Sequence, residues 1–257
     1  MAEINCDYQK LLNTATDVGH FLLESGAEIY RVEESIQHIL YAYGVKHADV
    51  FAIPSYIAVT ITTHEDKCYT RLRRILVRGT NYTAVNELNN LSREICQVKP
   101  SMEEIHQKLK KIRQGMRYSY WTVVGAYAAI AASFALFFGG TVKDALIAAA
   151  CGAIVRIVVQ YLESFQTNAF FINLLNSAMV TFIAIMMVHF QIGDNVDKII
   201  IATLMNLVPG VAITNAIRDV IAGDLLAGTV RGVEALMIAL ALALGTGAAL
   251  IAAGGIV

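Results

Sequence analysis

Past residue 117 the chain runs through five stretches of spanning length that carry almost no charge: 118–138, 145–162, 169–190, 199–217 and 233–254. A helix needs about 20 predominantly apolar residues to cross the hydrocarbon of a bilayer, so each stretch is expected to be a transmembrane helix. Composition points the same way. The chain is 56% hydrophobic, its mean hydropathy is +0.53 and only 16% of it is charged, against about 25% in an average soluble domain. The net charge of -1 averages two unlike regions, because beyond residue 117 the only basic residues are Lys143, Arg156, Lys198, Arg218 and Arg231. The expected fold is therefore an integral membrane α-helical bundle of five transmembrane helices, residues 118–257, preceded by a small cytosolic α+β domain, residues 1–117.

Orientation follows from the basic residues, which resist translocation when they flank a span. Lys108, Lys110, Lys111, Arg113 and Arg117 directly precede the first stretch and hold the N-terminal domain in the cytoplasm. The start of the chain lacks the basic, apolar and small-residue regions of a signal peptide. Counting forward, the Arg218–Arg231 loop is cytoplasmic and the C-terminus external. Lys143 and Lys198 fall on the outer side, each beside an Asp, and are outvoted by the basic cluster. The linkers between the first four spans are short, so neighbours should pack antiparallel. An odd span count means that a second such unit fused to the C-terminus would enter the membrane from outside, which is inverted-repeat topology.

The soluble part reads as two amphipathic helices, 8–23 and a second one opened by Ser25 and Glu28 as a capping box and stopped near Gly44. A strand within "VFAIPSYIAVTITT" follows, with Pro54 marking an edge or a break, then a turn at "HED" and a partner strand "KCYTRLRRILV". Helices over 81–96 and 102–114 close the domain, the second capped by Ser101 and Glu104. Cys6, Cys68, Cys96 and Cys151 have no metal or disulfide spacing and are expected as free thiols. His20, His38, His47, His64 and His106 are dispersed, and no hydrolase or nucleotide-binding motif appears, so neither metal nor cofactor is expected. The cluster Arg71, Arg73, Arg74 and Arg78 reads as a solvated strand face or a contact with anionic lipid rather than a nucleic-acid site.

Polar residues inside the apolar stretches are the candidate chemistry. Arg156 sits in the second stretch, where a charge is expensive and faces a cavity or a partner; the alternative is snorkelling or a pair with Glu163. Asn173, Asn176 and Ser177 in the third stretch suit interhelical hydrogen bonding or ligand contact. The small residues Gly125, Ala128, Ala129 and Ala132, with Gly245, Gly247 and Ala248, read as close helix packing. The segment "NLVPGVAITNAIRDVIAGDLLAGTVRG" is different: Pro209 has no N–H and Gly210 is pliable, so the fourth span should unwind beside Asn206, Thr214 and Asn215. Broken helices in transporters hold small ions and carboxylates. Arg218, Asp219, Asp224, Arg231 and Glu234 then form a candidate coupling and gating group, with Asp219 exchanging ion pairs with Arg218, Arg231 or Arg156 and Asp224 in a solvated loop.

"SGAEIYRVEESIQHILYAYGV" followed far downstream by "LVPGVAITNAIRDVIAGDLLAGTVRGVEALMIA" resembles the threonine/serine exporter family over essentially the full chain. The length resembles the longer subunit of the two-component members, typified by a bacterial succinate exporter pair. The matching motif positions are Gly26, Ala27, Glu28 and Arg31, then Pro209, Gly210, Asn215, Asp219, Gly223, Asp224, Gly228 and Arg231. The resemblance implies gradient-driven efflux of a small carboxylate-bearing metabolite, a dicarboxylate or threonine and serine, from a bacterial plasma (inner) membrane. It also implies a short membrane partner subunit supplying the second half, with a homo-oligomer as the variant. Two rivals are a membrane-embedded hydrolase and a ligand-sensing membrane scaffold. The first suffers from geometry, because Asp219 and Asp224 would point about 140° apart on one helix at 3.6 residues per turn.

Overall fold

The computed structural model describes residues 7–115 and 118–254; Cys6, Arg117 and Val257 lie outside them. The chain forms two compact units, Met1–Arg117 with Thr214–Gly232, and Tyr118–Ile213 with Val233–Val257.

In the first unit, α1 (Tyr8–Glu24) and α2 (Ile29–Ala42) bury their apolar stripes against each other: Leu11, Leu12, Ala15, Val18 and Leu22 meet Val32, Ile36, Ile39 and Leu40 in one core. Asp7 caps α1 by accepting the N–H groups of Gln9 and Lys10. Next come β1 (His47–Ile53), β2 (Tyr56–Thr62) and β3 (Cys68–Arg74), an antiparallel sheet in sequence order. Where one strand was expected, the structure has a hairpin, with Ile53 opposite Tyr56 and Pro54-Ser55 at its tip. Proline cannot donate to a ladder, so the apolar run folds back on itself. Ile57, Val59 and Ile61 are wholly buried, each stabilising the fold by about 1.5–3 kcal/mol through removal from water. Helices α3 (Tyr82–Val98), capped by Asn81, and α4 (Met102–Arg113), capped by Ser101, pack on the helices that cover the sheet, α3 on α1 and α2 and α4 on α1. The expected solvated arginine face divides by strand alternation: Arg71 and Arg73 turn inward to Asp17 of α1, while Arg74 stays exposed.

The α1–α2 turn depends on Gly26, whose φ is +90° and whose missing Cβ would lie 2.7 Å from the Gly79 carbonyl oxygen. Two strand-to-helix amides bind this turn, Gly79 N–H to Glu24 O and Asn81 N–H to Ser25 O, both at 2.9 Å. Gly26→Ala should therefore destabilise by more than about 1 kcal/mol, the ordinary cost of strained backbone, measured as a lowered melting temperature. An unchanged melt would mean that the turn adapts.

The second unit holds α5 (Tyr120–Phe137), α6 (Val142–Ser164), α7 (Ala169–His189), α8 (Val196–Leu204), the first residues of α9 (Gly210–Ile221) and most of α10 (Leu225–Ala252). Among the described residues four helices, α5, α6, α7 and α10, are long and apolar enough to cross a membrane. The expected fourth span, 199–217, is not one helix: α8 ends at Leu204 and α9 starts at Gly210. A turn over 205–207 intervenes, with Pro209 withholding the N–H that would continue the ladder. Helix α10 begins at Leu225, not near 233, so Arg231 lies on a helix and Asp224 directly precedes it.

Small residues make the close packing, although not all the expected ones. Ala131 and Ala135 of α5 meet Ala145 and Ala148 of α6 and Ala202 of α8, and a Cβ at Gly245 would overlap α7 at Leu174 and Ser177, whereas Gly125 and Gly247 face open space. The start of α6 is a full capping box between Thr141 and Asp144. The wholly buried Asp144 carboxylate also accepts the N–H groups of Asp194 and Asn195 at 2.8 and 3.0 Å. These bonds satisfy the carboxylate and staple the α7–α8 connection to α6.

Candidate functional site

The α1–α2 turn and the α9–α10 segment, some 190 residues apart in sequence, meet inside the first unit. The expected capping box does not form there. Ser25 ends α1, and Glu28, the residue before α2, makes no capping bond with its side chain. Instead Asp219 of α9 supplies the missing acceptor, its Oδ1 taking the Ile29 N–H at 3.3 Å. A carboxylate suits this place because the first helical N–H groups lack partners and carry the positive end of the helix dipole. The other oxygen of Asp219 lies 3.3 Å from Nη1 of Arg231, and Nη2 of the same guanidinium donates to the Ala27 carbonyl at 2.9 Å. Glu28 turns outward to Arg218 at 2.8 Å and Arg31 at 2.5 Å. Carboxylates and guanidiniums thus alternate from the rim, Arg31, Glu28 and Arg218, to the buried Asp219–Arg231 pair.

Burial is what distinguishes the inner pair. Asp219 has no exposed surface and Arg231 is buried, whereas the Arg218 side chain is 60% exposed, so the inner pair is desolvated and the outer one screened. Removal from water pushes the Asp219 carboxyl above its ordinary value; Arg231 and the Ile29 N–H oppose the rise, while Asp224 and Glu28 add to it. Asp224 is tied to the same residue through its own N–H, which donates to the Asp219 carbonyl at 2.8 Å, so the expected solvated loop is a tight turn. Asn215 is buried one helical turn before Asp219. Glu33, which no sequence pattern marked, donates nothing but accepts the Ala52 N–H at 2.7 Å, and burial raises its carboxyl too.

In the second unit the structure joins two of the expected residues through a third that the sequence did not mark. The Arg156 guanidinium sits 5.8 Å from the centre of the Tyr127 ring, and Asn206 Nδ2 donates to the Tyr127 carbonyl at 3.3 Å. Tyr127 therefore connects α6 to the break that holds Asn206, Pro209 and Gly210. Arg156 also donates to Gln160 at 3.3 Å and lies 4.0 Å from Glu163, while its buried Nε has no hydrogen-bond partner among the described residues. Asn173 and Asn176 bind carbonyls of their own helix, Ala169 and Ile172, and do not reach Arg156 through any of these bonds. Among the described residues the Asn176 Oδ1 is buried without a partner, as are the hydroxyls of Thr181 and Thr246. Ser177 reaches across to the Ala241 carbonyl of α10 at 3.5 Å. Glu234 is exposed on α10. A guanidinium with an unsatisfied N–H beside a broken helix can take an anionic group; the buried acid–base pair at the α2 terminus can take up or release a proton.

Residues 13–252 match the family described as "Putative threonine/serine exporter". A "Probable threonine/serine exporter" of Mycobacterium tuberculosis is 20% identical over 239 residues, 92% of this chain but 45% of the relative, so the chain spans less than half the length of that protein. Two proteins each named "Probable succinate transporter subunit YjjP" are similar over most of both chains. The one from Klebsiella aerogenes is 24% identical over 88% of this chain and 87% of its own; the one from Escherichia coli K12 is 25% identical over 88% of each. No solved structure matches.

Proposed function

The chain belongs to the threonine/serine exporter family, and from that premise we propose that it is one subunit of a secondary active exporter for small carboxylate metabolites, completed by a short membrane subunit of the same family. The substrate class is a dicarboxylate such as succinate, or threonine and serine. One observation carries the reading: residues 214–232 belong to the same compact unit as the segment before α5. Three span-length helices, α5, α6 and α7, lie between those two parts and would leave the chain on the far side of the membrane. The segment from α8 to the start of α9 must then return across it. Helix α8 has 9 residues and covers about 13.5 Å at 1.5 Å per residue, less than half of the roughly 30 Å hydrocarbon. The rest of that crossing includes non-helical backbone, which is tolerated at membrane depth only where protein or a wet cavity surrounds it.

This makes α8, the break and the start of α9 a fifth, discontinuous crossing, with Asn206, Pro209 and Gly210 as its binding element and Arg156, held through Tyr127, as the carboxylate ligand. Helix α10 then leads outward, so the N-terminus is cytoplasmic and the C-terminus external. Five crossings form half of an inverted repeat, and the relatives named as subunits support a partner that supplies the other half. The proton-coupling pair is Asp219–Arg231, where the chain returns from the broken crossing.

Two measurements test this. A reporter fused to the C-terminus should be active only as an external fusion; cytoplasmic activity there would leave an even number of crossings and remove the broken one. Proteoliposomes preloaded with labelled succinate or threonine should show, under an imposed pH gradient, at least about tenfold less efflux with this chain alone than with the short subunit added. Equal efflux from the single subunit overturns the partner.

A further inference from the structure

The first unit carries a second cluster of charges, away from the α2 terminus. Two adjoining cavities of about 600 and 320 Å³ run along α1, α4 and β3 and share Asp17, His106 and Lys110. Their volumes fall in the range of small-molecule sites, about 300–1,000 Å³. The walls are unevenly charged: among the described residues Arg71, Arg73, Arg113, Lys10 and Lys110 line them with three acids, Asp17, Glu24 and Glu103. Two of these three acids are already engaged. Asp17 Oδ1 takes both Arg71 and Arg73, and Glu24 is shared between His20 at 3.6 Å and Arg113 at 3.7 Å.

Two guanidiniums on one carboxylate oxygen leave donors over. Nη1 of Arg71 is buried and has no hydrogen-bond partner among the described residues, a costly state for a charged group, and its side chain lines the larger cavity. A bound anion with two oxygens would satisfy it, because the planar guanidinium fork matches carboxylate and phosphate geometry.

We propose that this groove between α1, α4 and β3 binds a small soluble dianion, a dicarboxylate or inorganic phosphate, at a site separate from the export pathway. The surplus of cations selects two negative charges over a zwitterion such as threonine, whose ammonium would oppose Arg71 and Lys110. The location gives the site a regulatory use: β3 and α1 form one core with α2, whose first N–H is bound by Asp219. Occupancy that stiffens α1 and β3 therefore bears on the helix that holds the acid–base pair.

The test is hydrogen exchange on the full chain in phosphatidylcholine nanodiscs, read at the peptides covering α1 and α4. Added succinate or phosphate should slow exchange there, and neutral succinamide should not. Lys110→Gln, which leaves the Asp17 cluster intact, and Arg71→Gln should each raise the half-saturating concentration at least about tenfold. The readout is local, so binding at a transport site in the second unit does not imitate it. Slowing by succinamide equal to that by succinate, no slowing by either anion, or slowing produced only by phosphatidylglycerol in the bilayer without added anion would each overturn the proposal, the last by assigning the cations to lipid headgroups.

Discussion

Asp219→Asn is expected to abolish gradient-driven efflux in the complete exporter while leaving the protein in the membrane. Asparagine keeps an oxygen for the Ile29 N–H but removes the charge opposite Arg231, so the helix cap survives and the titratable pair does not. Arg231→Gln should cost as much, and the double substitution little more than either alone, because residues that share one interaction are not additive. Either Asp219→Asn or Asp219→Ala strands Arg231, at a cost of about 3–5 kcal/mol; Asp219→Ala also loses the acceptor for the Ile29 N–H and should lower the melting temperature further than Asp219→Asn.

The same substitution has a pH signature. Burial raises the folded-state value of the Asp219 carboxyl, so the fold holds this proton more tightly than the unfolded chain does. Its contribution to stability is complete below the unfolded value and is lost as pH rises through the folded one. Stability should fall as pH climbs above the ordinary carboxylate range, and Asp219→Asn should flatten part of that decline, leaving the part that belongs to Glu33. Wild-type efflux with an unshifted pH profile in Asp219→Asn would make the residue a structural cap.

Local pattern exposed part of this arrangement and hid the rest for identifiable reasons. Apolar length placed α5, α6 and α7 within a few residues, because a bilayer leaves few alternatives to a long helix. Pro209-Gly210 predicted a break, but hydropathy alone could not distinguish one kinked span from two short helices. Ser25 and Glu28 matched a capping box, yet the acceptor for α2 is Asp219, and a bond across 190 residues leaves no local signal. Strand alternation was equally deceptive in the basic stretch: Arg71 and Arg73 share a face with Tyr69 and turn to Asp17, which nothing in β3 announces. Both family motifs were visible as text. Their contact, Glu28 with Arg218 and Ala27 with Arg231, was not.

Arg156→Ala is expected to cut efflux by roughly 10- to 150-fold, the equivalent of a charge-assisted hydrogen bond of about 1.5–3 kcal/mol, and Arg156→Lys should lose most of that as well. Lysine restores the charge but offers a point donor instead of a fork, so a bidentate grip on a substrate carboxylate would not recover. The competing role is structural, since Arg156 lies 4.0 Å from Glu163 and could be held toward the end of α6 by it. Glu163→Gln separates the two. Its side chain is 57% exposed, and an ion pair of that length and exposure contributes about 0–1 kcal/mol, so efflux in Glu163→Gln should stay near wild type if Arg156 serves the substrate. Tyr127→Leu supplies the positive control: it removes the ring beside the guanidinium while the carbonyl that Asn206 uses remains, and should raise the substrate concentration at half-maximal efflux more than it lowers the maximal rate. Full activity in Arg156→Lys, together with a loss in Glu163→Gln, would assign Arg156 to anchoring α6 and leave Asn206 and the open backbone of the break to hold the substrate.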